Sequence, residues 1–501
     1  MLNIDNLKKI DKNTWFFRFK KLWEDYLITN DIAKYSFLNK EEFSDFISGN
    51  LKTGDKYKEL IENKFIKDKE YEVDLSKAFA KKNDFLRYWP SLHIIVTTLR
   101  CNHKCQYCHA AVAPMTAKDM DMTEDTAKKV VDTIFFTSNP DITIEFQWWE
   151  SLVNWNIVKY IVEYAEIKSY HLKKNVRFVI VTNLSLMDED KLEYLFSHNV
   201  DISTSLDWDE ETHNYNRTFK EGNSYEQVTY WIKRINEEHK KRWRDVKIWA
   251  LLTVTKKTLT KYKEVIDTYV WLWLDSIFLR PLNPYWFAAS ELEKLWYEPN
   301  EFIEFYKKSL DYILELNKKW IIFREALSSI YLSKILTDKD PNYLDERSPC
   351  WACIWQVAYN YDWKIYSCDE WRMLWRMWDD NFLMWKVWEE ADKTYKNMIE
   401  SETTKIMVQA STLDWLPWYN DSVYKPYIWV CPIHSYKLTW NIIPIYAKDH
   451  KRILDYAVLD FLFGKIRLEE DRKIFKKWLW MENILKIFCF LSINRYNKLV
   501  Y

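Results

Sequence analysis

Four glycines in 501 residues leave this chain few positions where the backbone can turn left-handed at low cost. Average usage would supply about 35 glycines in a chain of this length. The chain instead carries 29 tryptophans, and the two residue types together number 33. Several tryptophans also stand where chain geometry asks for glycine. Trp320 follows the helical run ending ELNKK, where a left-handed cap is usual. Trp363 lies in YDWKIYSC between two strand-like pieces, where Asp-Gly would make a hairpin turn. Trp273 separates a helical run from DSIFLR, Trp208 follows ISTSLD, and Trp23-Glu24 joins FFRFKKL to DYLITND. The expectation is that most of these residues are glycine in the organism. The UGA codon means tryptophan in one variant genetic code and glycine in another, and the Lys, Asn and Ile richness fits an AT-rich genome that would favour such codons. Trp231 and Trp478 lie inside helical patterns and are expected to be genuine. The alternative is a truly tryptophan-rich protein.

Residues 92–282 alternate between strand and helix patterns. The strand candidates are LHIIVTT (92–98), ITIEFQ (142–147), RFVIVTN (177–183), DISTSL (201–206), VKIWALLTV (246–254) and DSIFLRPL (275–282). Helical runs separate them, for instance TEDTAKKVVDTIFF with Thr123 as N-cap. Six β–α repeats of this kind predict an α/β fold: a parallel sheet with helices outside, curved into a partly open (β/α)6 barrel. Function then belongs at the carboxyl ends of the strands.

Formal net charge is −1, with 73 Lys and Arg against 74 Asp and Glu, so charge gives no case for nucleic acid or an anionic membrane. No apolar run reaches a membrane span, and MLNIDNLKKIDKN lacks a signal peptide's apolar stretch. A cytoplasmic, reducing location is expected, where the eight cysteines serve as metal ligands or core residues rather than disulfides.

Directly after the first strand comes TTLRCNHKCQYCHA, with Cys101, Cys105 and Cys108 spaced Cys-x3-Cys-x2-Cys. Three thiolates on one tight loop can hold three corners of a [4Fe–4S] cube, which normally takes four. The fourth iron, left open, can chelate the amino and carboxylate groups of S-adenosylmethionine (SAM) and pass an electron to its sulfonium. Spacing alone leaves open a zinc site with His103 or His109 as fourth ligand, although structural zinc sites usually draw on two well-separated pairs.

At this point the chain resembles the radical SAM superfamily, and the resemblance carries further residues with it. Read with glycine, Trp148-Trp149-Glu150-Ser151 is similar to the Gly-Gly-Glu-Pro motif that meets the SAM amino group, with Ser151 departing from the usual Pro. The resemblance implies that Thr182 and Asn183, ending the third strand, and Ser205, ending the fourth, bind SAM's ribose and polar groups. Arg217 matches a position that pairs with the SAM carboxylate, and Tyr107 one that touches adenine.

Farther on, SPCWACIWQVAYNYDWKIYSCDEWRM resembles the opening of a SPASM domain, the C-terminal extension of peptide-modifying radical SAM enzymes. Such domains usually carry two auxiliary [4Fe–4S] clusters. In YNDSVYKPYIWVC, Tyr419, Ser422 and Ile428 stand where three of the later cysteines are expected, and Cys431 alone remains. The resemblance therefore implies one auxiliary cluster on Cys350, Cys353, Cys368 and Cys431, with a zinc site on the same residues as the alternative. Asp369, directly after Cys368, matches an Asp that takes a proton from the substrate in sulfatase-maturing relatives.

The chain from about residue 15 to about 465 is most similar to the His-Xaa-Ser system radical SAM maturases. That likeness implies SAM cleavage to a 5′-deoxyadenosyl radical, modification of a ribosomally made His-Xaa-Ser repeat peptide, and an electron donor such as flavodoxin or ferredoxin, with no nucleic-acid or membrane partner. The alternatives are a sulfatase-maturing, formylglycine-generating enzyme and a non-catalytic metal-binding scaffold. The expected organisation is a small α+β unit over 1–88, a radical SAM barrel over 89–298, and a helical bridge over 299–345. A loop-rich SPASM-like cluster domain over 346–445 and C-terminal helices over 446–501 complete it. The small unit is read as a cap on the barrel or a peptide holder. Cys489, in IFCFLS, is read as a core residue.

Overall fold

The computed structural model describes residues 11–481, apart from 69–70, 109, 111, 148, 245, 283–291, 339–346, 376–379, 389 and 446–448. His109, Trp148, Cys489 and the tail from 482 onward therefore lie outside the described residues.

The N-terminal unit opens with an antiparallel sheet of β1 (Arg18–Leu22), β2 (Asp25–Thr29) and β3 (Tyr35–Leu38). Leu22 pairs with Asp25, so Trp23-Glu24 is the two-residue turn the sequence predicts. Helices Lys40–Ser48 and Asp55–Glu62 follow, and Phe43, Phe46 and Leu60 pack on Ile28 and Leu38. Strand β3 and a further helix, Tyr71–Lys82, were not legible in the sequence. The unit is anchored on the later part of the chain. Thr29 Oγ1 donates to Val423 O at 2.7 Å, Lys20 pairs with Asp460 at 2.8 Å, and Tyr35 and Phe37 pack on Phe463.

The barrel follows the expected alternation. Its first strand is β4 (Leu92–Ile95), and a short β5 (His103–Cys105) lies on the cysteine loop. Next come β6 (Asp141–Phe146), β7 (Asn175–Val181), β8 (Val200–Ser205) and a short β9 (Arg217–Phe219) that pairs with β5. Then follow β10 (Trp249–Thr253) and β11 (Ser276–Arg280). Strands β4, β6, β7, β8, β10 and β11 are hydrogen-bonded in that order, all parallel. Alternation sorts their side chains: Ile142, Ile144 and Phe146 of β6 are buried, whereas Thr143 and Glu145 are only partly so. Thr123 caps the first outer helix, Glu124–Ile134, by accepting from Thr126 N.

The sheet does not end where the six repeats end. β12 (Arg324–Glu325) adds a seventh parallel strand beyond β11. At the other edge, β13 (Gln356–Tyr359) pairs in parallel with β4, and β14 (Lys364–Tyr366) and β15 (Leu383–Lys386) continue antiparallel. Barrel and second cysteine region thus share one ten-stranded sheet across the boundary drawn at 345/346.

The backbone also answers the tryptophan question. Fourteen described non-glycine residues have positive φ, and eight of them are tryptophan: 23, 149, 208, 243, 273, 320, 363 and 440. Bulky residues rarely occupy this region, and glycine is its ordinary occupant. Trp243 is 95% exposed and Trp320 85%, so these indoles do no packing that would justify the conformation. Trp478 is the opposite case. It is helical and fully buried, and its Nε1 donates to Asn317 Oδ1 at 3.1 Å. Trp231 likewise lies inside the helix Ser224–Lys241, against the core.

Candidate active site

Directly after β4 the chain turns into the loop bearing Cys101, Cys105 and Cys108. Arg100 fixes this loop: its guanidinium forks onto Asp121, with Nε 2.8 Å from Oδ1, and Nη1 donates to Met115 O at 3.0 Å. The three thiols lie close enough to raise one another's pKa, although burial is the larger cause. Burial pushes Cys105 up to about 12 and also raises Cys101 and Cys108. Backbone N–H groups of His103 and Ala110 point at the sulfurs of Cys101 and Cys108, each at 3.4 Å.

This donor set fits a cube better than a single ion. Tetrahedral zinc with Zn–S near 2.3 Å needs sulfurs about 3.8 Å apart. The three sulfurs do not all come within 4.8 Å of one another. His103 is also engaged elsewhere. Its Nδ1 meets Asn183 Nδ2 at 2.9 Å, its Nε2 meets Ser224 Oγ at 2.9 Å, and its ring stacks on Phe219.

Glu150, Thr182 and Asn183, three of the residues expected to bind SAM, gather around this loop. Glu150, fully buried, follows β6. Its carboxylate accepts from Thr182 Oγ1 at 2.6 Å, Asn183 N at 2.8 Å and Leu152 N at 3.0 Å. Burial raises its pKa, and these hydrogen bonds oppose the rise. A carboxylate offers about four acceptor sites, so one remains for a ligand's ammonium. Asn183 also reaches Asn102 Oδ1 at 3.0 Å. Trp149, at φ 55°, directly precedes Glu150, whose N–H donates to Arg100 O at 3.2 Å at the head of the loop. Ser205 is the last residue of β8.

Tyr107 and Arg217 are both committed to a residue that sequence reasoning missed. Tyr107 donates its hydroxyl to Asp207 Oδ2, and Arg217 Nε donates to the same oxygen at 3.1 Å. The guanidinium also lies 5.4 Å from the Tyr107 ring centre. Asp207 is fully buried. Its only signal in the sequence was its place just past the fourth strand.

In the second cysteine region, Cys350, Cys368 and Cys431 are close enough for their charges to interact, with Glu370 beside them. Burial is the main cause of the raised pKa of Cys368 and Cys431. Cys353 is also buried, and its thiol, pushed up to about 12, faces the hydroxyls of Thr404 and Ser367. His434 N points at the Cys431 sulfur at 3.4 Å. Tyr419 and Ile428, where other cysteines were expected, are buried side chains.

Asp369 opens the helix Asp369–Trp375, and its Oδ1 accepts from Gln356 Nε2 at 2.7 Å. Gln356 begins β13, so the pairing of β13 with β4 carries Asp369 toward the barrel. Glu145 of β6 feels the charge of Asp369 and has a pKa raised to about 7, chiefly by burial. Neither Gln356 nor Glu145 carried a motif that could have marked it.

Residues 95–265 match the radical SAM superfamily, and the barrel is a radical SAM domain. Radical SAM cyclopropyl synthase TigE from Paramaledivibacter caminithermalis is 26% identical over 134 residues, 24% of this chain and 28% of that protein. An uncharacterized protein of Methanocaldococcus jannaschii is 32% identical over 114 residues, 23% of this chain and 37% of that one. The chain thus aligns with about a third of these relatives' own length. The solved structure of anSMEcpe with bound AdoMet shares the fold, with TM-score 0.61, 16% identity, 76% of this chain covered and all of the other. The same protein with AdoMet and the Cp18Cys peptide matches equally well, at TM-score 0.61 and 16% identity over 76% of this chain and 99% of that one. Among the described residues no helix is long and apolar enough to cross a membrane.

Proposed function

We propose that this chain is a radical SAM enzyme that modifies a ribosomally made peptide, with the His-Xaa-Ser repeat class as its substrate. The observation that carries this reading is the convergence of Glu150, Thr182 and Asn183 beside the three-cysteine loop. Cys101, Cys105 and Cys108 would hold the SAM-binding [4Fe–4S] cluster, and Cys350, Cys353, Cys368 and Cys431 an auxiliary one. A bound cluster and SAM would together supply a 5′-deoxyadenosyl radical that takes hydrogen from the substrate. Glu150 would orient SAM through its remaining acceptor site. Asp369, steadied by Gln356, would take a proton from the peptide. The solved peptide complex of anSMEcpe, on the same fold, supports a peptide as the substrate class. A cytoplasmic reductant such as flavodoxin or ferredoxin would deliver the electron.

The test uses protein made with glycine at the positive-φ tryptophan positions and at 148, reconstituted with iron and sulfide under anaerobic conditions. With dithionite and SAM it should release 5′-deoxyadenosine and methionine, and a His-Xaa-Ser repeat peptide from the same gene neighbourhood should change mass. Conversion of a sulfatase Cys or Ser to formylglycine would instead place the chain among sulfatase maturases. No SAM cleavage, even with peptide present, would leave only a metal-binding scaffold.

A further inference from the structure

Arg372 has no role in the chemistry described above, yet it is among the most unusual side chains in the molecule. It is fully buried, and none of its three guanidinium nitrogens has a hydrogen-bond partner among the described residues. Asp369, one turn earlier on the same helix, spends Oδ1 on Gln356, and no ion pair to Arg372 occurs among the described residues. A buried cation whose donors are all unmet is strongly unfavourable, because the desolvation of each donor goes uncompensated. What covers the guanidinium is the indole of Trp149, whose ring centre lies 4.1 Å from the guanidinium carbon.

That cover is itself out of place. Residue 149 has φ 55°, a conformation in which glycine is the ordinary occupant. With glycine there, the indole is gone and the guanidinium is left uncovered next to Glu150, whose N–H donates to Arg100 O just before Cys101. Arg217 and Arg100, the cations at the cysteine loop, are already committed to Asp207 and Asp121. A planar guanidinium with paired donors matches a carboxylate.

We propose that Arg372 is a carboxylate-binding residue of the active site, exposed to its ligand by glycine at 149. The ligand carboxylate belongs either to the methionyl end of SAM or to the peptide. The assignment rests on the radical SAM reading, but it can fail separately because binding to resting, oxidised protein needs no SAM cleavage.

The experiment compares Arg372→Gln and Arg372→Lys with the parent, all with glycine at 149 and both clusters loaded. SAM affinity is measured without reductant, and the KM of the modified peptide is measured with it. Removing a charged hydrogen-bond donor should weaken the relevant ligand by about 10- to 100-fold. Lysine, which keeps the charge and loses the fork, should fall between parent and glutamine. A weakened SAM affinity assigns the carboxylate to SAM; an unchanged SAM affinity with a raised peptide KM assigns it to the peptide. If both are unchanged, or SAM affinity is unchanged and no peptide is modified, the proposal is overturned. Should Arg372→Gln fail to load iron, Arg372→Lys decides alone, and parental affinities in it overturn the proposal. Tryptophan at 149 in protein from the native organism would also overturn it, because the ring would then be the partner. Failure of the parent to cleave SAM while Arg372→Gln still weakens SAM binding would sink the enzyme reading and leave this one standing.

Discussion

Thr182 donates its hydroxyl to the buried carboxylate of Glu150 across 2.6 Å, joining the end of β7 to the residues just past β6. The two strands are neighbours in the sheet, so their register brings the segments past their ends together. Thr182→Val removes a donor without changing shape much and leaves a buried anion short of a partner. The expected cost is about 1–3 kcal/mol of stability, read by urea unfolding. SAM affinity should fall with it, since Glu150 loses the contact that aims it. A variant of parental stability and SAM affinity would mean that Asn183 N and Leu152 N suffice.

A second prediction concerns the code. Codons at positions 23, 148, 149, 208, 243, 273, 320, 363 and 440 should be UGA, and peptides from the native organism should carry glycine there. In protein made with tryptophan, Trp320→Gly and Trp243→Gly should each stabilise by about 1 kcal/mol, because a left-handed backbone costs a non-glycine residue about 1–2 kcal/mol. Trp478→Gly should do the reverse and cost about 3–5 kcal/mol, the usual price of emptying an aromatic site in a core. Destabilisation at all three positions would show that the tryptophans are native.

Much of the site was legible because its residues follow one another at strand ends. Cys101, Cys105, Cys108, Glu150, Thr182, Asn183 and Ser205 come in chain order after successive strands, and parallel pairing brings them to one end of the barrel. Asp207, Gln356 and Arg372 were not legible, for a different reason. None lies in a spaced motif: Asp207 meets Tyr107, 100 residues earlier, and Gln356 reaches the barrel through the pairing of β13 with β4. β12, two residues long, is too short to show a strand's alternation. The turns at Trp23 and Trp363 were read correctly because a missing glycine at a turn is a local contradiction.

Metal content separates the cluster readings. Anaerobically reconstituted, glycine-restored protein should bind about eight irons, two cubes of four. A Cys101/Cys105/Cys108 triple Ala variant should keep about four and lose SAM cleavage. Stoichiometric zinc after anaerobic purification would remove the cluster assignment, and about twelve irons would reveal a second auxiliary site.

Glu145 gives a pH dependence whose sign can be worked out. Its folded pKa is about 7 against an ordinary 4.5, with burial the main cause, Asp369 adding and Arg177 opposing. Below the ordinary value both states hold the proton, and pH has no effect through this group. Between the two values the unfolded chain gives up its proton while the folded chain keeps it, so stability falls as pH rises. Above about 7 the penalty is complete. Glu145→Gln removes it, so the variant's advantage in urea midpoint should be larger at pH 8 than at pH 5. An equal advantage at both values would show that Glu145 titrates normally.

The last prediction concerns Asp369 and the glutamine that holds it. Asp369 follows Cys368 directly and starts a helix, and its carboxylate is fixed by Gln356 Nε2 at 2.7 Å. It therefore lies beside a proposed cluster ligand on one side and near Glu145 of the barrel on the other. Asp369→Asn keeps the shape and a hydrogen-bonding partner for Gln356 but cannot take a proton. Peptide modification should fall by roughly the 10²–10⁴-fold typical of losing a general base. SAM cleavage without peptide should change little, because the residues that gather round the three-cysteine loop are Glu150, Thr182 and Asn183. Gln356→Leu should act more mildly and differently. The carboxylate remains but is no longer held by Gln356, so modification should persist at a reduced rate. Cys368→Ala would damage cluster and fold together and so tests less. If Asp369→Asn modifies the peptide at the parental rate, Asp369 is a helix-starting residue without a part in the chemistry. The proton must then leave through another group, and Glu145, which feels the charge of Asp369, is a candidate on the barrel side.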